Sequence, residues 1–276
     1  MDSISKYLLQ LPLLIIISIF IPVSMSGEVT KGILPDAFEL SENKDTLLKY
    51  NGKQQTVDMC EYEQLKGVRV IGRDAFSNNT EIKEVILSPH VREIGNGAFA
   101  ECINLTRIAM PDSLEKIGLG AFWDCSALHL TKLPENLKTI EDSAFTGCKN
   151  ITITEIPDGV DFIGIRALSY CSNITTISLP SHLNAIPALL FFRCVNLKNV
   201  DIPESVRSVG HSAFYGCDNL EELRLPKGPC VIEGNPFKKC PNLKRIFISS
   251  ETYPMEVKGS LGVVKIDLDS ETFIRY

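Results

Sequence analysis

The sequence is poor in the residue arrangements that enzymes use, although it runs to 276 residues. It has four histidines, and none stands beside a carboxylate or nucleophile at the spacing of a hydrolytic motif. HExxH, GxSxG and phosphate-loop motifs are all absent from it. We therefore expect no catalytic site, no cofactor and no metal site. The histidines are expected at solvated or edge positions, and they are His90, His129, His182 and His211.

Positive charge is also scarce. Lysine and arginine together number 28 against 34 aspartates and glutamates, which leaves a net charge of −6. Proteins that bind nucleic acids gain most of their affinity by neutralising phosphates with clustered basic side chains. The sequence shows no basic stripe of that kind. A nucleic-acid partner is therefore not expected.

Long apolar runs are missing everywhere except at the N-terminus. Residues 8–23 form an apolar run that contains Pro12 and Pro22 and leads into small residues. This pattern predicts a secretory signal peptide at 1–26, and hence a secreted or extracellular surface protein. The alternative is an uncleaved signal anchor, because residues 7–25 nearly reach the roughly 18 apolar residues that a spanning helix needs. A membrane contact is expected only if this segment is retained.

The dominant feature of the remaining sequence is a repeat of 23 residues. A phenylalanine or leucine recurs at this spacing eight times without an insertion or deletion. A fixed period of about 20–50 residues predicts a solenoid. We number the repeats units 1 to 8, and they span residues 71–254. The recurring residues are Phe76, Phe99, Phe122, Phe145, Leu168, Phe191, Phe214 and Phe237.

Each unit has the same internal order, which unit 2 at residues 94–116 illustrates with IGNGAFAECINLTRIAMPDSLEK. An aliphatic residue and a glycine open the unit, and glycine allows the backbone angles of a corner. An Ala-Phe pair, a cysteine, an asparagine and an apolar strand follow. A proline ends the strand because it lacks the N–H that a ladder requires. One unit cannot bury its apolar side alone, so neighbouring units must stack.

Cysteine occupies one column in seven successive units. Stacked units would bring consecutive members to about 5 Å of each other. Ladder side chains point in parallel, however, whereas the two Cβ vectors of a disulfide must turn toward each other. A row also lacks the four converging ligands of a zinc site. We therefore predict a structural ladder of buried thiols acting as small hydrophobes. Its members are Cys102, Cys125, Cys148, Cys171, Cys194, Cys217 and Cys240.

These columns resemble the BspA-like leucine-rich repeat family, whose units read roughly as LxxIxIPxSVxxIGxxAFxxCxN. The resemblance covers residues 66 to about 250, and Ser249 replaces the strand-ending proline of unit 8. The expected fold is an α/β-type solenoid dominated by short parallel β-strands, in which the resemblance implies a right-handed leucine-rich-repeat superhelix. End caps are expected at 27–70, with a hairpin turn at residues 50–53, and at 255–276.

Two surfaces are candidates for binding a protein ligand. The first is the outward face of the strands, where Leu130 and Ile153 would form an apolar pair across units 3 and 4. The second is the Ala-Phe corner, whose aromatic residues could anchor an interface. The alternative is that these rings only cover the apolar edge of the corner. The corner residues are Trp123, Tyr170, Phe192 and Tyr215.

The resemblance implies adhesion to host components or display on a cell surface. The expected function is therefore recognition of a host or self surface protein, and the alternative is a structural, matrix-like protein that associates with itself. If the host glycosylates secreted proteins, four N-x-S/T sequons could carry N-linked sugars. They begin at Asn78, Asn104, Asn150 and Asn173.

Overall fold

The computed structural model describes residues 37–228 and 230–247, together with the backbone of two strands at 264–267 and 272–275. All of these residues belong to one compact unit, Ile33–Tyr276. The predicted signal peptide at 1–26 lies outside the described residues, and so does most of the segment 255–276. Within the described residues, no helix has the length and apolar character required to cross a membrane.

The regular secondary structure of the described residues consists almost entirely of short strands. In chain order they are β1 (Phe38–Leu40), β2 (Thr46–Tyr50), β3 (Thr56–Asp58), β4 (Val70–Ile71), β5 (Glu84–Ile86), β6 (Glu93–Ile94), β7 (Arg107–Ala109), β8 (Lys116–Ile117), β9 (Thr139–Ile140), β10 (Phe162–Ile163), β11 (Thr176–Ser178), β12 (Ala185–Ile186), β13 (Asn199–Asp201), β14 (Ser208–Val209), β15 (Glu222–Arg224), β16 (Val231–Ile232), β17 (Arg245–Phe247), β18 (Val264–Asp267) and β19 (Thr272–Arg275).

The first ladder of parallel strands joins the points where successive units begin. It contains β2, β4, β6, β8, β9 and β10 in one sheet and β12, β14 and β16 in another. The paired residues of successive units lie 23 positions apart in the sequence, as Ile94 and Ile117 do. These aliphatic side chains are buried, because the alternation of a strand turns every second residue toward the core. The solenoid predicted from the 23-residue period is thereby confirmed.

The second ladder follows the apolar strand of each unit, and it is interrupted. Strands β3, β5 and β7 form one sheet, and β11 begins the next, so the described residues of units 3 and 4 contribute no strand here. In unit 2 the buried pair is Leu105 and Ile108, three residues apart. In unit 3 it is Leu128 and Leu130, two residues apart. This shift by one residue turns Leu130, instead of Thr131, toward the core.

The prediction that Leu130 and Ile153 face outward is therefore wrong. Leu130 is 8% exposed and Ile153 is 1% exposed, and both lie in the hydrophobic core. The residues that follow them, Thr131 and Thr154, are exposed instead. The described surface of the second ladder therefore has no apolar pair at units 3 and 4, and this face loses its candidate contact site.

The α component of the predicted α/β fold is also absent from the described residues. The helical segments there are two single 3-10 turns, Met59–Glu61 and Glu63–Leu65. The Ala-Phe segments form successive turns, in which left-handed residues such as Gly97 (φ 61°) and Glu101 (φ 59°) recur. A right-handed helix cannot continue through such residues, because they reverse the sense of the backbone.

The core is filled by two parallel stacks of side chains. Phe99 and Phe122 stack with their ring centroids 5.3 Å apart and their planes 1° apart, and Phe145 continues the stack at 5.3 Å. Beside them lies the cysteine column, whose seven members are all buried. Each of these thiols donates to the backbone carbonyl 26 residues earlier, with S···O distances of 2.9–3.2 Å. The 23-residue period alone does not predict these hydrogen bonds.

The residues before unit 1 form a hairpin and a further stacked layer. Strands β1 and β2 pair antiparallel, and β2 pairs in parallel with β4. The turn lies between Leu40 and Thr46, so the hairpin predicted at residues 50–53 is wrong. That segment instead carries the chain from β2 in the first ladder to β3 in the second. The Tyr50 ring packs against the Phe76 ring with the centroids 5.1 Å apart and the planes tilted by 35°, and so extends the aromatic column.

At the other end, β18 and β19 pair antiparallel, and β19 pairs antiparallel with β17. The last parallel strand of the second ladder is therefore followed by an antiparallel pair.

Candidate functional site

The described residues with the most distinctive surface lie directly after the buried Phe column, and we call this strip the corner face. It comprises two columns, one and two positions after that residue. The first column is Ser77, Ala100, Trp123, Thr146, Ser169, Phe192, Tyr215 and Lys238. The second column is Asn78, Glu101, Asp124, Gly147, Tyr170, Arg193, Gly216 and Lys239.

Backbone hydrogen bonds tie the corner face together from unit to unit. The Tyr170 N–H donates to the Phe192 carbonyl at 2.8 Å, and the Arg193 N–H donates to the Tyr215 carbonyl at 2.7 Å. The Glu101 N–H donates to the Trp123 carbonyl in the same way, at 2.7 Å. These bonds fix the spacing of the side chains, so the corner face is a pre-organised surface.

Three of the four predicted aromatic residues are in direct contact. Tyr170 meets Phe192 edge to face with centroids 5.4 Å apart, and Phe192 stacks on Tyr215 at 4.9 Å with the planes 11° apart. Tyr170 is 43% exposed, whereas the other two rings are half-buried. The aromatic ladder therefore presents ring faces and edges to solvent along units 5 to 7.

Trp123 stands apart from this ladder, with small residues between them. It lies three units before Phe192, a separation of roughly 14 Å at about 4.8 Å per unit. Thr146 and Ser169 occupy the intervening positions of the column. Because these side chains are short, the rings enclose a cavity of about 450 Å³, a size typical of ligand pockets. Its lining is Leu119, Gly120, Trp123, Ser143, Thr146, Arg166, Ser169, Tyr170 and Phe192.

A second cavity lies on the other side of Trp123. It measures about 290 Å³ and extends over units 1 to 3. Leu119 and Trp123 line both cavities and form the ridge between them. These two side chains are 51% and 44% exposed, so they are accessible to a partner. Asp74 and Glu101 also line the second cavity, together with the cation Arg73.

The hydroxyls of the larger cavity are already engaged as donors. Thr146 Oγ1 donates to the Arg166 carbonyl at 2.8 Å, and Ser169 Oγ donates to the Leu189 carbonyl at 2.7 Å. Their oxygens can still accept hydrogen bonds from a bound group. Arg166 is exposed and lines the same cavity. The cavity therefore offers an apolar wall, hydroxyl acceptors and one cation.

Units 5 and 6 hold bulky residues in the left-handed backbone region at this corner. Tyr170 has φ 59°, Leu189 has φ 60° and Arg193 has φ 57°. Units 4 and 7 place Gly147 and Gly216 at positions equivalent to Tyr170 and Arg193. A side chain in this conformation costs roughly 1–2 kcal/mol. The equivalent residue has a positive φ in all eight units, so this conformation belongs to the repeated corner and is not confined to units 5 and 6.

The side chains of the four sequon asparagines differ in whether they contact a neighbouring unit. Asn104 Nδ2 donates to the Thr80 carbonyl at 2.8 Å, and Asn173 Nδ2 donates to Asn150 Oδ1 at 3.3 Å. Asn78 is exposed on the corner face, and its side-chain amide donates to the neighbouring Ser77 hydroxyl at 2.9 Å. Glycosylation at any of them stays a prediction.

The histidines are exposed, as predicted, and lie apart from the corner cavities. His182 Nε2 is 3.3 Å from Asp161 Oδ1, and His211 contacts the Ser212 hydroxyl at 3.1 Å. Across the described residues, no group of three or more histidine, cysteine, aspartate or glutamate side chains is arranged to hold a metal ion.

The stacked parallel strands and the repeated corner define a leucine-rich-repeat solenoid. The BspA-type leucine-rich repeat region matches residues 55–175 and 161–257, in six copies. The chain therefore belongs to the BspA-type leucine-rich repeat family. No curated protein sequence matches it.

Two solved structures share this fold. The leucine-rich repeat protein of T. pallidum is 26% identical with a TM-score of 0.61, over 77% of this chain and 91% of that one. A leucine-rich repeat protein of Bacteroides ovatus is 24% identical with a TM-score of 0.56, over 77% of this chain and 69% of that one. The similarity concerns the fold. A binding surface has to be inferred from this chain's own residues.

Proposed function

We propose that this protein is secreted or displayed on a cell surface and binds another protein through the corner face. The observation that carries the proposal is the cavity of about 450 Å³ between Trp123 and the Tyr170–Phe192 pair. Exposed aromatic side chains beside a pocket are typical anchors of protein interfaces. An apolar side chain of the partner would enter the cavity, and the rings on either side would exclude water from it.

The rest of the fold serves this surface as a scaffold. We propose that the protein is not an enzyme and needs no cofactor. The β1–β2 hairpin and the β18–β19 pair are proposed to cap the two ends, since terminal units must cover their apolar stacking faces. The apolar N-terminal run is the basis for proposing secretion. Association with a membrane would follow only if that run is retained.

The test compares peptide selection by three forms of the full chain. Random displayed peptides of about ten residues, enough to cover the face in extended form, are selected on the wild type. The corner variant is Tyr170→Ser/Phe192→Ser/Tyr215→Ser. A matched control, Leu48→Ser/Phe162→Ser/Val231→Ser, removes exposed apolar side chains on or beside the first ladder, which are 42%, 51% and 56% exposed. Circular dichroism confirms that all three forms are folded.

The proposal predicts that the wild type and the control select the same peptides and that the corner variant does not bind them. Equal binding by the corner variant would contradict it. Sedimentation velocity over a range of concentrations tests the self-association alternative. Self-association that persists in the corner variant would support a matrix-like role through another surface.

A further inference from the structure

The corner face changes its charge along the solenoid. Glu101 and Asp124 lie at units 2 and 3. Arg193, Lys238 and Lys239 lie at units 6 to 8, and all three are exposed. We propose that the corner face binds an extended peptide segment of a partner whose acidic end lies over units 6 to 8. This inference rests on the proposed function and adds the chemistry and direction of the segment.

Several charged side chains elsewhere in the repeats are neutralised by their neighbours. Arg107 pairs with Glu84 at 2.7 Å, Arg92 pairs with Glu115 at 2.7 Å, and Arg245 pairs with Glu222. Each pair joins residues 23 positions apart, because stacking places them side by side. Opposite charges therefore neutralise each other at these positions.

The cations of the corner face form no such pair. No carboxylate of the described residues forms an ion pair with Arg193, Lys238 or Lys239. They lie on one strip of a chain whose net charge is −6. A local cationic patch on an acidic protein attracts and orients anionic ligands. The absence of internal partners leaves these side chains available to a bound carboxylate.

Two of these cations converge on one ring. The Arg193 guanidinium carbon is 6.0 Å from the centroid of the Tyr215 ring, and Lys239 Nζ is 5.7 Å from it. The aromatic ring restrains both head groups, which lowers the entropy cost of ordering them around a ligand. A carboxylate placed beside Tyr215 would meet a cation from unit 6 and another from unit 8.

The opposite end of the strip favours a peptide over a uniformly charged polymer. A polyanion, such as a sulfated polysaccharide, would cross Glu101 and Asp124 and be repelled there. A peptide can place an apolar residue in the cavity beside Trp123 and carboxylates beside Tyr215. The strip from Trp123 to Lys239 spans five units, or roughly 24 Å. About seven extended residues cover that length.

The test measures the binding of two synthetic peptides, identical except at their acidic positions, to the full chain by fluorescence anisotropy. One carries its apolar residues first and its glutamates last, and the other carries glutamines in place of the glutamates. Arg193→Gln/Lys239→Gln removes the two cations beside Tyr215. Arg224→Gln/Lys244→Gln is the matched control, because it removes two exposed cations outside the corner face that form no ion pair within the described residues. A sulfated oligosaccharide is the third ligand.

We expect the acidic peptide to bind at least about tenfold more tightly than the glutamine peptide at low salt, and the preference to shrink as salt rises. The Arg193→Gln/Lys239→Gln variant, which we call the corner charge variant, should lose this preference, and the control should keep it. If both peptides bind equally, and only the corner variant Tyr170→Ser/Phe192→Ser/Tyr215→Ser fails to bind them, this inference is overturned and the proposed function stands. No peptide binding at the corner would overturn both. Tighter binding of the oligosaccharide, abolished by the corner charge variant, would assign the patch to a polysaccharide instead.

Discussion

The thiol of Cys148 donates to the backbone carbonyl of Phe122, with Sγ and O 3.0 Å apart. The two residues lie in adjacent units, so the bond joins the cysteine column of one unit to the aromatic column of the preceding one. The same relationship recurs along the ladder from Cys102 to Cys240. The ladder therefore contributes polar contacts between units as well as apolar volume.

Replacing Cys148 tests this contact. We expect Cys148→Ala to lower the free energy of unfolding by about 1–2 kcal/mol, through lost volume and a lost hydrogen bond. Cys148→Ser should cost less, because its hydroxyl can donate to the same carbonyl. Cys60 is exposed and provides the control, so Cys60→Ala should have little effect. Urea denaturation measures all three, and a serine variant no more stable than the alanine variant would contradict a stabilising hydrogen bond at this position.

Alkaline pH should destabilise the protein through the ladder. Burial raises the pKa of the Cys102 and Cys194 thiols to about 12, from an ordinary 9.0. Above pH 9 the unfolded chain releases these protons while the folded chain keeps them, so stability falls as pH rises toward 12. Each thiol contributes about 1 kcal/mol per pH unit to this loss.

Urea denaturation at pH 8 and pH 10 measures the effect. The Cys102→Ser/Cys194→Ser variant is the comparison, because its hydroxyls do not titrate in this range. Its stability should depend less steeply on pH than that of the wild type. Identical slopes for the two proteins would argue against protonated, buried thiols.

The interrupted second ladder gives a prediction about packing. Leu130 lies in the core, whereas the adjacent Thr131 is exposed. Leu130→Asp should destabilise the protein by about 3 kcal/mol or more, because it buries a carboxylate and removes apolar volume. Thr131→Asp should cost less than about 0.5 kcal/mol. Thermal unfolding distinguishes them, and similar melting temperatures for both variants would place Leu130 at the surface after all.

The sequence predicted the period, the stacking and the identity of the buried columns, because these depend on spacing alone. It missed the inward turn of Leu130 and Ile153, since the outward columns were assigned by position in the repeat. The signal was local: Leu128 and Leu130 are two residues apart, where unit 2 has Leu105 and Ile108 three apart. Which residues are buried within a unit follows this local alternation.

The aromatic residues of the corner could be named from the sequence, but their cavities could not. The larger cavity exists because Thr146 and Ser169 are short while Trp123 and Phe192 are long. That contrast is readable in the column of residues that follow the buried Phe. The cluster around Arg193 was also missed, because its cations come from different units and form no run in the sequence.

Replacing a residue in the left-handed backbone region by glycine should affect stability and binding in opposite directions. Arg193 has φ 57°, a conformation that glycine adopts without steric cost. Arg193→Gly should therefore leave the free energy of unfolding unchanged or raise it by up to about 1 kcal/mol. The same change should weaken binding of the acidic peptide. Urea denaturation and anisotropy measure the two effects, and a destabilised variant would refute the strain at this position.

Trp123 offers the most direct test of the corner face, because it is the only tryptophan in the chain and lines both cavities. A tryptophan-free peptide obtained from the wild-type selection is titrated into the full chain while Trp123 emission and acrylamide quenching are followed. The account predicts a blue shift and reduced quenching that saturate together with binding measured by anisotropy. Saturated peptide binding with unchanged Trp123 emission and quenching would contradict the placement of the partner on the corner face.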